Sequence, residues 1–144
     1  MKHGKDGMQG LGDNQTTLGA QLERERYRRL GIWREAVGFA GAVYRKTKSF
    51  PASERWGLSS QLQRAAVSVA SNIAEGSQRP AADFRKFLQY SLGSLAECDT
   101  QLTIAEQAGY GAYDEELREK IAMLMIGIRN FSRSVAERAE GGRA

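Results

Sequence analysis

The stretch FPASERWGLSSQLQRAAVSVASNIAEG, residues 50–76, decides the fold, because it contains a loop, a helix and the end of that helix. Pro51 cannot continue a helix, and Ser53 can accept a hydrogen bond from the free amides of a new first turn. Gly76 tolerates the left-handed conformation that often ends a helix. The sequence therefore predicts a helix that starts close to Ser53 and stops at Gly76. Its apolar face has the three-and-four spacing of Leu58, Leu62, Ala65, Val69 and Ile73.

A second stripe of the same helix is polar, and its side chains are also spaced by three and four residues. Such a stripe is either a solvated flank or a contact with another helix or subunit. This helix is rich in alanine and serine, so a partner helix can approach closely, and a polar group there would need a hydrogen-bonding partner. We therefore expect burial. The stripe, which we call the polar seam, consists of Gln61, Arg64, Ser68, Asn72 and Glu75.

Three further helices are predicted from apolar spacing. The first runs from about Ile32 to Lys48, the third from about Ala81 to Ala108, and the fourth starts near Asp114. Short connections place consecutive helices side by side and antiparallel. The fold class that we expect is all-α, an antiparallel up-down four-helix bundle.

The same spacing predicts the buried face of each of these helices. Cys98 lies on the apolar side of the third helix, which favours an inert, buried thiol. The predicted face of the first helix is Trp33, Ala36, Val37, Ala40, Val43 and Tyr44. That of the third is Phe84, Phe87, Leu88, Leu92, Leu95, Cys98, Leu102 and Ala105, and that of the fourth is Leu117, Ile121, Leu124, Ile128, Phe131 and Val135.

The 144 residues, 41% of them hydrophobic, predict a single compact domain over residues 30–140. Residues 1–29 are first glycine-rich and then charged, so we expect a flexible tail whose charged part is a fraying helical turn or an arm. Residues 141–144 are expected to be disordered. No apolar run approaches the roughly 18 residues of a membrane span, and no hydrophobic block follows the first lysines. A cytoplasmic protein without a membrane partner is therefore predicted.

Groups able to carry catalysis are scarce in this sequence. The only histidine is His3, in the predicted tail, so no histidine base is available in a rigid site. The single cysteine excludes an intramolecular disulfide and a multi-cysteine zinc site. Glu115, Glu116 and Glu119 open the fourth helix, where acids offset the helix dipole, which we favour over a Mg²⁺ site. We predict no enzymatic activity, no metal and no cofactor.

Charge is distributed unevenly along the chain. From Arg24 to Tyr90 there are thirteen Lys and Arg against five Asp and Glu, whereas from Ser91 onward there are six against nine. The basic residues gather near the predicted helix ends and could contact phosphates, with binding that weakens as salt rises. They could also be a solvated face or pair with acids of the fourth helix. The candidate nucleic-acid-binding residues are Arg45, Lys46, Lys48, Arg55, Arg79, Arg85 and Lys86.

Residues 50–76 closely resemble a family of small four-helix-bundle proteins encoded in intervening sequences of bacterial 23S ribosomal RNA genes. Its relatives include accessory variability proteins of diversity-generating retroelements. The resemblance covers about Leu30 to Val135, and Trp56 departs from it, standing where a smaller aromatic residue is expected. The matching residues include Phe50, Pro51, Glu54, Gly57, Leu58, Gln61, Arg64, Ser68, Asn72, Ile73, Ala74, Glu75, Gly76, Ser94 and Glu97.

This resemblance implies a homo-oligomeric ring, five subunits in number, and a link to nucleic-acid enzymes such as a reverse transcriptase. Together with the charge distribution, it leads us to expect a non-enzymatic helical oligomer that binds RNA or DNA. The alternative is a structural oligomeric scaffold for protein–protein contacts without nucleic acid. Glu97 lies one turn after Ser94 and could pair with Arg64 across the bundle, in a charge-assisted contact rather than a reaction site.

Overall fold

The computed structural model describes residues 17–21 and 26–142, and every regular element in these ranges is helical. The prediction of an all-α chain is therefore confirmed. Residues 17–21 form a short helical segment, and single 3₁₀ turns span Tyr27–Arg29 and Ala52–Glu54. The four long helices are α1 (Gly31–Thr47), α2 (Leu58–Ser77), α3 (Ala81–Gln107) and α4 (Glu115–Gly141).

The four helices close into a bundle because each packs against its two neighbours. Contacts join α1 to α2, α2 to α3, α3 to α4 and α4 back to α1, whereas no diagonal pair shares a comparable contact within the described part of the chain. The connections at 48–57, 78–80 and 108–114 are short, so consecutive helices run antiparallel. Two loops therefore lie at one end of the bundle and one loop at the other.

One face of each helix supplies the core, and the burial of each large apolar side chain contributes roughly 1.5–3 kcal/mol. The predicted faces of α3 and α4 are confirmed at most positions, with Phe84, Phe87, Leu92 and Phe131 half-buried at the edge. The largest fully buried apolar side chains are Phe39, Leu62, Ile73, Leu88, Leu95, Leu102, Leu124 and Ile128.

The buried face of α1 is rotated from the predicted one. Val37 and Tyr44 point outward and are 44% and 47% exposed, whereas Ile32 and Phe39 are buried. The helix carries two overlapping apolar stripes at helical spacing, and spacing alone does not choose between them. The stripe with Phe39 is buried, and its ring, unlike that of Tyr44, carries no hydroxyl that would need a partner in the core.

The first turn of α2 begins at Leu58, five residues beyond the predicted start at Ser53. Ser53 lies inside the 3₁₀ turn, and the cap comes from the next residue instead. The Glu54 carboxylate accepts a hydrogen bond from the Leu58 amide at 2.8 Å and a second one from the Tyr110 hydroxyl at 3.0 Å. One carboxylate thus satisfies a free amide of the helix start and ties the α3–α4 loop to it.

Gly76 does not form the predicted left-handed helix end. Helix α2 continues through Ser77, and among the described residues only Gly109 and Gly111 have positive φ. Gly76 is buried where α2 meets the start of α3. A Cβ there would lie 2.6 Å from the Cβ of Phe87 and 2.8 Å from Cδ2 of Phe84, so the close approach of the two helices requires glycine.

Candidate nucleic-acid interface

The candidate basic residues fall into two groups at opposite ends of the bundle. Loops 48–57 and 108–114 meet at one end, which we call the tyrosine end. Residues 26–30, loop 78–80 and residues 135–142 meet at the other, which we call the arginine end. Helix α2 has 20 residues with a rise of about 1.5 Å each, so the ends lie roughly 30 Å apart. The tyrosine end holds Arg45, Lys46, Lys48 and Arg55, and the arginine end holds Arg79, Arg85 and Lys86.

At the tyrosine end, polar side chains are used to join the two loops to the bundle. The Lys46 ammonium donates a hydrogen bond to the Ala112 carbonyl at 2.7 Å and lies 3.3 Å from an oxygen of Asp114. The Tyr113 hydroxyl donates to the Asp99 carboxylate at 2.9 Å. Lys46 was predicted to contact nucleic acid, but its charge is engaged within the bundle.

Two of the other cations at the tyrosine end lie beside acids or over an aromatic ring. Arg45 shares a surface depression with Lys46, Asp114 and Glu116. The Arg55 guanidinium lies 4.9 Å from the ring centroid of Trp56, a side chain that is 83% exposed. Positive and negative groups therefore alternate here, which weakens the attraction of this end for a polyanion.

Three groups on α3 and in the α3–α4 loop hold their protons more tightly than usual. Burial, and then the hydrogen bond to Asp99, raise the pKa of the Tyr113 hydroxyl. The hydrogen bond to Glu54 raises the pKa of Tyr110. Burial raises the pKa of the Cys98 thiol to about 12, with a smaller contribution from the charge of Glu97. All three are protonated at neutral pH, and Cys98 is the inert, buried thiol that was predicted.

The arginine end contains a cavity of about 430 Å³ that combines positive charge with an apolar surface. No Asp or Glu is among its lining residues. Two of its arginines, Arg26 and Arg138, make no ion pair or ring contact with any described residue. The cavity is lined by Arg26, Leu30, Ser77, Gln78, Arg79, Ala81, Phe84, Phe131, Val135, Arg138 and Ala139.

Arg79 is held loosely at this cavity. Its guanidinium lies 3.4 Å from an oxygen of Glu75 and 5.4 Å from the ring centroid of Phe87. Both partners of the ion pair are half exposed, and pairs of this kind contribute about 0–1 kcal/mol. The side chain can therefore exchange Glu75 for an incoming anion at small cost.

Sequence reasoning missed Arg26 and Arg138. The predicted set was drawn from residues that flank the predicted loops, and residues 1–29 were assigned to a tail. In the structure, the ring of Tyr27 packs edge-on against that of Trp33, with 5.2 Å between centroids, and this contact places residue 26 beside the bundle. A single aromatic residue inside a charged segment was the available signal.

Part of the polar seam lines a groove between α2 and α3, namely Gln61, Arg64 and Ser68. The centre of the seam is hydrogen-bonded within one chain. Asn72 donates from its amide nitrogen to both the carbonyl and the hydroxyl oxygen of Ser68 at 2.9 Å. Ser94 of α3 donates to the same Ser68 hydroxyl at 2.9 Å, and Ser91 donates to the Val69 carbonyl at 2.9 Å. Hydrogen bonds between such short side chains require α2 and α3 to lie close together. The alanine and serine content of α2 predicted this close approach.

The ends of the seam are open to solvent. Gln61, Arg64 and Glu75 are exposed, so the predicted burial of the whole seam does not occur within one subunit. Arg64 and Glu97 line the same groove of about 390 Å³, but no ion pair joins them among the described residues. The predicted pairing is therefore wrong, since water competes with such an exposed contact. Gln101 lines this groove too, and its side-chain oxygen is buried without a partner in the described part of the chain.

The described ranges contain no cluster of three or more His, Cys, Asp or Glu that could hold a metal ion. Within the same ranges, no helix has both the length and the apolar character needed to cross a membrane.

Comparison with known proteins gives one family. The family model for the 23S rRNA-intervening sequence protein matches residues 28–128, well over half of the chain. The match spans α1 to α3, about half of α4, the polar seam, and all seven basic residues of the predicted set. No curated protein matches the sequence. The relation to accessory proteins of retroelements stays a prediction.

Proposed function

Because the chain belongs to the 23S rRNA-intervening sequence protein family, we propose that it is a non-enzymatic helical protein that binds RNA or DNA through the arginine end. The observation that carries this proposal is the cavity lined by Arg26, Arg79 and Arg138 without a carboxylate. Exposed Arg85 and Lys86 on the first turns of α3 add positive charge, which exposed Asp83 in the first turn partly offsets. Guanidinium groups match the geometry of phosphate oxygens and stay charged at any physiological pH.

The tyrosine end has a lesser part in this proposal. Arg45, Lys48 and Arg55 are exposed there, but Asp114 and Glu116 line the same surface depression as Arg45. We expect these cations to strengthen binding of long nucleic acids only slightly, through the general field of the protein.

A salt titration tests the proposed function directly. Labelled RNA and single-stranded DNA are titrated with the full chain at several salt concentrations, starting near 50 mM. Each phosphate contact releases counterions, so the logarithm of the binding constant should fall linearly with the logarithm of salt, with a slope of about −0.7 per contact on single strands. No measurable binding at the lowest salt would contradict the proposal.

We further propose that the protein assembles with copies of itself, in the ring of five that the family resemblance implies. The groove between α2 and α3 supports self-association, since the buried Gln101 oxygen lacks a partner there and exposed Gln61 and Arg64 offer donors. A ring would repeat the arginine end several times and raise the affinity for a polyanion by multivalency.

Sedimentation tests the assembly. Asn72→Leu and Glu75→Leu change the polar seam. Each variant should sediment at a smaller mass than the wild-type assembly or form aggregates. A matched control, Gln15→Leu, lies outside the described residues and should not change the sedimentation profile. A wild-type protein that sediments as a monomer would contradict the assembly without touching the nucleic-acid proposal.

One observation favours the second candidate, a scaffold that binds proteins and not nucleic acid. Trp56 is 83% exposed at the tyrosine end, and tryptophan is enriched at the centres of protein interfaces. A nucleic-acid enzyme such as a reverse transcriptase is the partner that we propose for this surface. Capture of such an enzyme that persists at high salt and is lost in Trp56→Ala, without nucleic-acid binding, would favour the scaffold.

A further inference from the structure

The cavity at the arginine end has two chemically different parts. One part is apolar: the rings of Phe84 and Phe131 meet edge-on with 5.5 Å between centroids, and both are half-buried, so some ring surface faces the cavity. The other part is the set of guanidinium groups of Arg26, Arg79 and Arg138. A volume of about 430 Å³ lies within the range of roughly 300–1,000 Å³ typical of small-molecule sites.

This combination selects among anions. Inorganic phosphate would pair with the arginines but leave the phenylalanine rings in contact with water. A nucleotide matches both parts, because its phosphate is anionic and its base has a flat apolar face that can lie on an aromatic ring. Stacking of a base on an aromatic side chain contributes about 1–3 kcal/mol.

The start of α3 adds a smaller favourable contribution. Ala81, its first residue, lines the cavity, and no side chain caps this helix. The partial positive charge of the first amides of a 27-residue helix therefore adds to that of the arginines, less the part that Asp83 in the same turn offsets.

We propose that this cavity receives one unstacked nucleotide, so that the protein prefers single-stranded nucleic acid to a duplex of the same sequence. The inference rests on the proposed function and names its ligand class. In a duplex the bases are stacked and paired, and only the phosphates are presented to the arginines. In a single strand a base can turn outward and enter the space between loop 78–80 and α4.

The test compares one RNA strand of about twelve nucleotides with its duplex, using the full chain. We expect the wild-type protein to bind the single strand at least about fivefold more tightly, the lower part of the stacking range. Phe131→Leu keeps an apolar side chain but removes the ring, and it should reduce single-strand binding by a similar factor while duplex binding is unchanged. Phe131 is chosen because Phe84 also contacts Gly76, whose packing is tight.

Trp56→Leu is the matched control, since it removes an exposed aromatic residue beside an arginine at the other end. It should change neither affinity. Equal affinities of wild type for single strand and duplex, both salt-dependent, would overturn the cavity inference and leave the proposed function standing. Absence of binding to either would instead contradict the proposed function.

A second measurement needs no variant. Adenosine monophosphate and inorganic phosphate are compared as competitors of the labelled single strand, at equal ionic strength. We expect the nucleotide to compete at a concentration at least about fivefold lower, because only it reaches the rings. Equal competition would reduce the site to a phosphate contact and overturn the assignment of a base to the cavity.

Discussion

The two ends of this bundle use their cations differently. At the tyrosine end, Lys46 binds the Ala112 carbonyl and Asp114, and two tyrosine hydroxyls donate to carboxylates. At the arginine end, Arg26 and Arg138 face a cavity without any such partner among the described residues. The partners of each cation therefore distinguish the two ends.

The difference follows from topology. Two loops meet at the tyrosine end, and their free backbone groups must be satisfied by neighbouring side chains. Only one short loop closes the arginine end, so fewer polar side chains are needed for the backbone. The cations there stay available to an external anion.

The largest expected effect concerns the packing that supports the arginine end. Gly76→Ala would press a methyl group against Phe84 and Phe87, with contacts of 2.6–2.8 Å to carbon atoms. Overpacking costs about 1–3 kcal/mol, and the better helix propensity of alanine offsets only part of it, so we expect a net loss of about 2 kcal/mol in unfolding free energy. Urea denaturation measures it.

Gly93→Ala is the control for that variant, because it lies in α3 with no atom within 4 Å of the added Cβ. It should stabilise the protein by about 0.5–1 kcal/mol. Equal effects of the two variants would show that the contact between α2 and α3 at residue 76 is not tight.

A second prediction contrasts the charges of the two ends. Arg26→Gln with Arg138→Gln should weaken RNA binding about tenfold or more near 100 mM salt and reduce the salt slope by about one to two. The matched pair, Arg45→Gln with Lys48→Gln, removes the same charge from the tyrosine end and should weaken binding less than about threefold. Fluorescence anisotropy measures the RNA affinity of both double variants. Equal losses of affinity in the two variants would remove the distinction between the ends.

A third prediction concerns the tyrosine end alone. Lys46→Met keeps the apolar stem but removes the bond to the Ala112 carbonyl and the ion pair with Asp114. We expect a loss of about 1–2 kcal/mol in unfolding free energy, since bonds to charged groups contribute about 1.5–3 kcal/mol when well shielded. Lys48→Met, at an exposed position, should be nearly neutral by thermal denaturation. An unchanged free energy of unfolding in Lys46→Met would mean that the contacts of Lys46 do not stabilise the tyrosine end.

The smallest effect is that of Tyr113→Phe, which removes the bond to Asp99 and should cost about 1 kcal/mol at pH 7. Folding raises the pKa of Tyr113, so the native protein keeps a proton that the unfolded chain releases near its ordinary value of 10.0. The contribution of this group is therefore complete below pH 10 and falls above it, by at most about 1.4 kcal/mol per pH unit.

Unfolding free energies between pH 8 and about 11 test that slope. Tyr113→Phe should lose less stability than wild type above pH 10, and the thiol of Cys98 contributes equally in both proteins. Tyr90→Phe, at a half-exposed position, is the control and should follow the wild-type curve. Parallel curves for all three proteins would contradict the role given to the Tyr113 hydroxyl.

Apolar spacing and helix breakers in the sequence were enough to predict the all-α class and most buried positions of α3 and α4. They were not enough for α1, where two stripes share one helix and Phe39 is buried in place of Val37. The role of Gly76 was also missed, because a glycine near a helix end fits a left-handed cap and a close contact equally well. Only the positions of Phe84 and Phe87 distinguish the two.

For the candidate site, the sequence predicted basic residues at both ends of the bundle but not the partners that each of them has in the structure. A position next to a loop selected Arg79, which lines the cavity, but it could not show that Lys46 contacts residues more than sixty positions away. Arg26 and Arg138 come together from the two extremes of the described chain, and nothing local in the sequence links them.

The central claim, that the arginine end and not the tyrosine end contacts nucleic acid, is tested most directly by hydrogen–deuterium exchange with and without a short RNA strand. We predict slower amide exchange at residues 26–30, 78–86 and 135–142 when RNA is bound, and no change at 48–57 and 108–114. Protection confined to 48–57 and 108–114 would contradict the account.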